Sequence, residues 1–367
     1  MFIQSMNRLE TTKMFGYIEI MMFIIVHLPI NIFGLHGGAF GLKMEKGILF
    51  SEFHKFAAQH SRSYLYNSSE FLSRFQAFKD SVKRAELMNL PYGKDEKFGP
   101  VFGINKFADL TPAEFKAKYL SGLKNRRSVL KFRSSFRTDG NFQSPVGVKS
   151  LPVSVDWRTK SVLSPVIDQG GCGACWAIST IETMEAMSVI LNETKTVNRL
   201  SIQELIDCDE ENKGCEGGDI CQAATWSQMH GIVPEKNYPL TRKTGTCKEI
   251  SEPVTKVKVT YSKCDNFVGD EEKILETLAN HGPVMAAVDA TTWHNYVGGI
   301  IRFHCSDVIN HAVQIVGYNL EGDVPYYIIR NSWGTDFGDK GYLYLRYGTN
   351  ICGVAKEIVK LSVSTQQ

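Results

Sequence analysis

An α+β fold, with a helical lobe facing a β-rich lobe across a cleft and a separate helical segment in front, follows from three features of the sequence. Between residues 172 and 250 apolar positions recur at helical spacing. After residue 255 the stretches Val257-Lys258-Val259-Thr260-Tyr261, Ala312-Val313-Gln314-Ile315-Val316 and Tyr326-Tyr327-Ile328-Ile329-Arg330 read as strands. Upstream, Phe53, Phe56, Ala57 and His60, then Phe71, Phe75, Phe78 and Val82, fall at intervals of three and four, which predicts two amphipathic helices packed on each other. Clefts between lobes are where sites usually lie.

The 367 residues suit two or three domains. A net charge of +2 argues against a nucleic-acid partner, but it conceals an asymmetry. Residues 43–150 hold 20 Lys+Arg against 10 Asp+Glu, and residues 151–367 hold 19 against 27. Opposite signs on neighbouring segments predict that one docks on the other. All nine cysteines lie between 172 and 352, which suits an oxidising secretory route, and the odd count leaves at least one thiol free.

In chain order, residues 1–39 carry Arg8 and Lys13, the apolar run Ile20 to Val26 and the small residues Gly37-Gly38-Ala39. That is the pattern of a signal peptide cut near Ala39. Glu19, His27 and Pro29 interrupt the apolar stretch, so no stable membrane span is expected. Residues 40–120 form the helical segment, with Asn67-Ser68-Ser69 as a glycosylation acceptor between its helices and Asn192 as a second acceptor further on. Residues 121–150, with Arg126, Arg127, Lys131, Arg133 and Arg137 among Ser, Thr and Asn, read as an exposed linker and processing region. Residues 151–367 form the two-lobed domain.

The stretch Asp168-Gln169-Gly170-Gly171-Cys172-Gly173-Ala174-Cys175-Trp176-Ala177 runs into the apolar-periodic segment Ile178 to Leu191. Its glycines allow close backbone approach, and Cys175 falls where a helix begins, a position that favours the nucleophilic thiolate. Plainer readings exist. Cys172-Gly173-Ala174-Cys175 is also a CxxC, which fits a redox dithiol or half a zinc site, but no second CxxC or HxxxH accompanies it. Any single cysteine can simply be buried structure.

These residues resemble the papain family of cysteine proteases. Asn331-Ser332-Trp333-Gly334 and Leu151-Pro152-Val153-Ser154-Val155-Asp156-Trp157-Arg158 carry the resemblance through the two-lobed domain. Upstream, Glu70, Arg74, Phe78 and Asn89, then Gly103-Ile104-Asn105-Lys106-Phe107-Ala108-Asp109, resemble the family's inhibitory propeptide. Ser81 and Ala85 depart from it where Asn and Ile are usual. The resemblance implies a papain-like fold whose second lobe is barrel-like, made as a zymogen. Cys175 would be the nucleophile and His311 its base, 136 residues downstream. Asn331 would orient His311, Trp333 would shield that bond, and Gln169 with the Cys175 N–H would hold the oxyanion. His230, His281 and His304 have plain readings as a helix end, a turn and a surface residue.

By the same resemblance Cys172 pairs with Cys215, Cys208 with Cys247 and Cys305 with Cys352; Cys221 and Cys264 are either a fourth bridge or two buried thiols. Peptide would lie along Gly173, Gly217 and Gly218 and near Asn310 and Trp333. Ile220, Ala287, Ile309, Ala312 and Glu357 would surround the pocket for the second residue before the cut. One cathepsin also carries a glutamate at the position of Glu357, which suggests that Arg is accepted there besides apolar side chains. Phe337 stands where a second Trp is usual and Ile178 where Phe is usual. No paired-histidine loop is visible, which favours endopeptidase action. The implied cofactors and metals are none. The implied partners are peptide and protein substrates, the chain's own propeptide and cystatin-type inhibitors, with a monomer in the lysosome or outside the cell. Two rival readings are a non-catalytic binding protein on the same fold and a dithiol oxidoreductase.

Overall fold

The structure, a computed structural model, describes residues 46–66, 68–93, 101–120, 151–191, 193–250 and 253–366. The leader, the linker 121–150 and both acceptors, Asn67 and Asn192, lie outside the described residues.

Three helices build the leading segment: α1 (Lys46–Gln59), α2 (Ser68–Asn89) and α3 (Pro112–Tyr119). Phe53, Phe56, Ala57, Tyr64, Phe71, Phe78 and Ala108 bury one another. The Phe53 ring lies 5.0 Å from Phe71 and 5.3 Å from Phe78, the contacts that the three–four spacing anticipates. Asp109 is buried and satisfied by Arg62 and the Tyr64 hydroxyl, each at 2.8 Å. Arg74 donates to Glu114 at 2.8 Å and to the Asp109 carbonyl at 3.2 Å. Asn89 closes the segment: its Oδ1 accepts from the N–H groups of Val101 and Phe102, and its Nδ2 donates to the Phe102 carbonyl. Thr111 and Glu114 cap α3 reciprocally.

The helical lobe contains α4 (Cys175–Ile190), α5 (Ile202–Cys208) and α6 (Ile220–His230). The sequence periodicity predicts one apolar face for α4, yet every residue from Cys175 to Ser188 is buried. The helix lies between its own lobe and the sheet, so no side faces water. The hydroxyls of Thr180, Thr183 and Ser188 donate to carbonyls one turn back, which lets polar residues be buried.

The second lobe is an eight-stranded sheet ordered β2-β8-β3-β5-β6-β7-β4, with β1 added on β5. The strands are β1 (Ser154–Asp156), β2 (Lys256–Asp265), β3 (Val284–Val288), β4 (Ile300–Ile301), β5 (His311–Asn319), β6 (Tyr326–Arg330), β7 (Tyr342–Arg346) and β8 (Ile358–Gln366). All pairings are antiparallel except β4 with β7. Helix α7 (Glu272–Asn280) packs on β5, and α4 packs on β5 and β8. The sheet lobe's core continues without a break into Tyr92, Phe102, Phe107, Phe115 and Tyr119 of the leading segment.

Four disulfides join Cys172 to Cys215, Cys208 to Cys247, Cys221 to Cys264 and Cys305 to Cys352. The third ties the head of α6 to β2. Cys175 is free, and because Cys172 is bonded elsewhere the two cannot act as a dithiol pair.

Helix α4 also buries Glu182 and Glu185. Burial raises both carboxyls, Glu182 to about 7, although Arg330 and Arg199 pull the other way and Glu185 adds to the rise. A free glutamate titrates near 4.5, so the folded chain holds an extra proton between that value and about 7. Stability from this group is therefore complete below the lower value and is lost as pH rises through the window. Thermal melts of the full chain are expected to show a falling midpoint from pH 5 to pH 8, and Glu182→Gln is expected to flatten that slope. An identical slope in both proteins would assign the effect elsewhere.

Candidate active site

The glycine-rich loop before α4 is stitched to the end of β6. Gln169 N–H donates to the Ser332 carbonyl at 2.8 Å, and Gly334 N–H donates to the Ile167 carbonyl at 3.0 Å. On its other side the Cys172–Cys215 bridge and a 2.8 Å bond from Gly173 N–H to the Cys215 carbonyl hold the loop against residues 214–218. Gly217 adopts φ 116°, a region side chains avoid. At Gly218 a Cβ would come within 2.5 Å of the Trp176 indole. Packing under the cleft thus demands glycine there, independently of any peptide above.

Cys175 occupies the first turn of α4 and is fully buried. Burial pushes its thiol up to about 11, against the opposing pull of the backbone N–H groups of Ala312, Trp176 and Cys175 itself. His311 opens β5, and the next residue of that strand, Ala312, offers its backbone N–H to the Cys175 sulfur. Its Nε2 lies 2.8 Å from Asn331 Oδ1. An amide oxygen only accepts, so the proton sits on Nε2 and the Nδ1 lone pair is free. Nδ1 is buried without a hydrogen-bond partner. Burial also lowers His311 to about 4, partly offset by Asn331. Cys175 and His311 are therefore both neutral in this form.

Asn331 Oδ1 also accepts from the Ser332 N–H at 2.8 Å, which fixes the amide. The Trp333 indole lies 4.9 Å from the His311 ring and is fully buried. Gln169 is oriented at both ends: its Oε1 accepts from Ser332 Oγ at 2.6 Å and its Nε2 donates to the Cys172 carbonyl at 3.1 Å. One amide hydrogen of Gln169 remains. The contacts of Ser332 are not legible in the sequence, because a serine between Asn331 and Trp333 carries no signal of its own.

Ile220, Ala287, Ala312 and Ile309 meet in one apolar cluster with Cys175. Glu357 borders it, its carbonyl accepting from the Ala287 N–H at 3.0 Å. The Asn310 side chain is engaged within the chain: Oδ1 accepts from Ala290 N–H, and Nδ2 donates to Asp289 and Thr291. Asp219, Cys221 and Glu357 bring three donor atoms within 4.8 Å of one another. The sulfur among them is in a disulfide, so this group lacks the thiolate that a metal would need.

The leading segment packs over Trp333. Phe107 and Phe115 place their rings 5.5 and 5.3 Å from Trp333, and Phe337 lies 4.8 Å from it, filling by apolar packing the place of the usual Trp. Lys106 Nζ reaches Asp168 at 2.9 Å, Asp336 at 2.6 Å and the Trp333 carbonyl at 2.5 Å. The charge asymmetry is expressed there, but Arg62 and Arg74 serve carboxylates within their own segment. Aromatic rings pack along the seam. His294 sits within it, stacked on Phe115 at 4.5 Å, 2.9 Å from the Phe107 carbonyl and 3.2 Å from Arg84 Nη2. Asn295 completes this polar patch, donating to Ser81 Oγ at 2.8 Å and accepting from Arg84 Nε at 2.7 Å. Ser81, which departs from the usual pattern, thus has a partner of its own.

The description "Papain family cysteine protease" matches residues 151–361. The chain belongs to the papain family of cysteine proteases. A cathepsin propeptide inhibitor domain matches residues 53–115, so this papain-family protease carries an inhibitory propeptide, the leading segment described above. It is 36% identical to cathepsin O of Mus musculus over 292 residues, covering 78% of this chain and 89% of that one. It is 33% identical to cysteine proteinase 1 of Dictyostelium discoideum, covering 91% and 98% of the two chains. Among solved structures, digestive procathepsin L 3 of the Tenebrio molitor larval midgut superposes with TM-score 0.71 at 28% identity, covering 86% of this protease and 99% of that chain. The recombinant stem bromelain precursor gives the same TM-score and identity, with 86% and 98% covered.

Proposed function

We propose that this protease is an endopeptidase that cuts protein substrates through Cys175, His311, Asn331 and Gln169. The carrying observation is the Asn331–His311 bond, which leaves the Nδ1 lone pair as the base for the thiol. When the propeptide leaves, water returns to the cleft. The burial that holds Cys175 and His311 neutral relaxes, and the proton passes from sulfur to Nδ1. The thiolate attacks the peptide carbonyl carbon, and its oxygen takes the negative charge beside the Gln169 amide and the Cys175 N–H. The C–N bond breaks as His311 returns the proton to the departing amine, leaving a thioester. Water, deprotonated by His311, attacks the thioester and releases the acid.

Within this reading residues 1–39 are a signal peptide, 40–120 the inhibitory domain, 121–150 the region that is cut and 151–367 the mature enzyme. Four disulfides suit an oxidising secretory route to the lysosome or the exterior. No described helix is long and apolar enough to cross a membrane. The processed enzyme acts as a monomer, with cystatin-type proteins as its inhibitors. Cleavage of a peptide library by the processed protein tests this. Cuts are expected inside peptides, with Leu and Arg both accepted two residues before the cut. Products trimmed only from the ends would overturn the endopeptidase reading. Glu357→Ala is expected to lower kcat/KM for the Arg substrate about tenfold and leave the Leu substrate unchanged, as for loss of one charge-assisted bond. Equal cleavage of both substrates by both proteins would remove Glu357 from specificity.

A further inference from the structure

We propose that Arg330 is a positioning residue that sets the mutual placement of Cys175, His311, Asn331 and Gln169 from beneath the cleft. This rests on the catalytic reading above. Arg330 is 1% exposed and directly precedes Asn331 at the end of β6. Its guanidinium touches one element behind each of the other three residues. Nη2 lies 2.9 Å from Glu182 Oε1, an ion-pair distance without hydrogen-bond geometry, on α4 two turns beyond Cys175. Nη1 donates to Gln314 Oε1 at 3.4 Å, on β5 three residues beyond His311. Nη2 also donates to the Ser164 carbonyl at 2.8 Å, to Ser164 Oγ at 3.1 Å and to the Pro165 carbonyl at 2.8 Å, on the segment leading to Gln169. Gln314 closes the circuit by donating to Thr183 Oγ1 on α4 at 3.2 Å.

A planar fork with fixed donor directions is the group that can tie four chain segments at once; an ammonium ion lacks that geometry. The four segments come from both lobes, and the cleft between the lobes is where the thiol and the imidazole must meet. A shift of one ångström between reacting groups can cost about 10²-fold in rate, even when its source is remote. The placement of the guanidinium is therefore felt in the chemical step. Arg330 is 1% exposed and its contacts are all within the chain, so it is not expected to touch substrate and KM is not directly engaged.

The test compares Arg330→Gln and Arg330→Lys with wild type, each made as the full chain and processed. Glu271→Gln serves as a control, since Glu271 is another buried carboxylate, remote from the cleft, holding Tyr327 and the N–H groups of Gly348 and Asn350. Two quantities are read at matched folded fraction: kcat against KM, and the pH profile of Cys175 alkylation. Wild type is expected to show alkylation well below the ordinary thiol range, because the thiolate is paired with the His311 imidazolium. For Arg330→Gln, kcat is expected to fall about 10²-fold with KM within twofold, and the alkylation limb to move up by about one pH unit. Arg330→Lys is expected to fall between, and it carries the test if Arg330→Gln does not fold. Glu271→Gln is expected to lower the melting temperature and leave both readouts in place. An Arg330→Lys enzyme with wild-type kcat and alkylation profile, or losses that Glu271→Gln reproduces, would overturn the positioning role. Absence of a low-pH alkylation limb in wild type would instead overturn the thiolate–imidazolium reading itself.

Discussion

Cys175→Ala is expected to abolish peptide hydrolysis, by about 10⁴- to 10⁶-fold, while the chain still folds and its propeptide stays docked. The sulfur is the only nucleophile at the head of α4. The apolar cluster around it tolerates loss of one Sγ atom, because Trp176, Ile178 and Ile220 frame the position independently. An epoxide that alkylates thiols is expected to label the processed wild-type protein at one site and the variant at none. The other eight cysteines are bridged, so a single label identifies the residue. Residual hydrolysis in the variant would move the nucleophile elsewhere, and wild type that binds peptides without cutting them would make the fold a binding scaffold.

Propeptide affinity is expected to fall about 20-fold from pH 7 to pH 5 and about 120-fold by pH 4 through His294 alone. The Phe107 carbonyl can only accept and the Arg84 guanidinium can only donate, so the ring must carry its proton on Nε2 and keep Nδ1 bare. A second proton would face a guanidinium at 3.2 Å. Burial and Arg84 accordingly lower His294 to about 4, whereas the ring freed from the propeptide should titrate near 6.5. A group whose pKa is depressed in the docked form keeps its stabilising share above the free value and loses it as pH falls between 6.5 and 4. Processing of the full chain, followed against pH, is expected to begin near pH 6. His294→Gln, which keeps one donor and one acceptor but cannot titrate, is expected to shift that onset about one unit lower. An unmoved onset would assign release to the carboxylates around Lys106, Asp168 and Asp336.

How far the sequence is legible depends on the range of the interactions involved. Helices α1 and α2 are readable because phenylalanines at three- and four-residue intervals report a local stripe, and that stripe is what packs. Strands β5 and β6 stand out as apolar runs, whereas β3 does not. Its Val-Met-Ala-Ala-Val is buried on both faces and lacks the alternation by which strands are recognised. Helix α4 shows the same blindness in helical form, since a stripe is expected and burial on all sides is found. Around the site, the glycine-rich loop and the residues near Cys175, His311 and Asn331 form recognisable local words. Arg330 and Glu182 do not, because their pairing spans 148 residues and either is an ordinary charged residue until the fold buries it. His294 was one of nine histidines with nothing to single it out, and its three close partners all come from the propeptide.

The shared core of propeptide and sheet lobe has a consequence beyond inhibition. Trp293, Tyr296, Trp333 and Phe337 are buried together with Phe102, Phe107, Phe115 and Tyr119. Once the latter four depart, the newborn enzyme wears an oily collar next to its own cutting edge. Removing the leading segment is therefore expected to make the remaining chain self-associate more readily than the full chain, which light scattering against concentration would read.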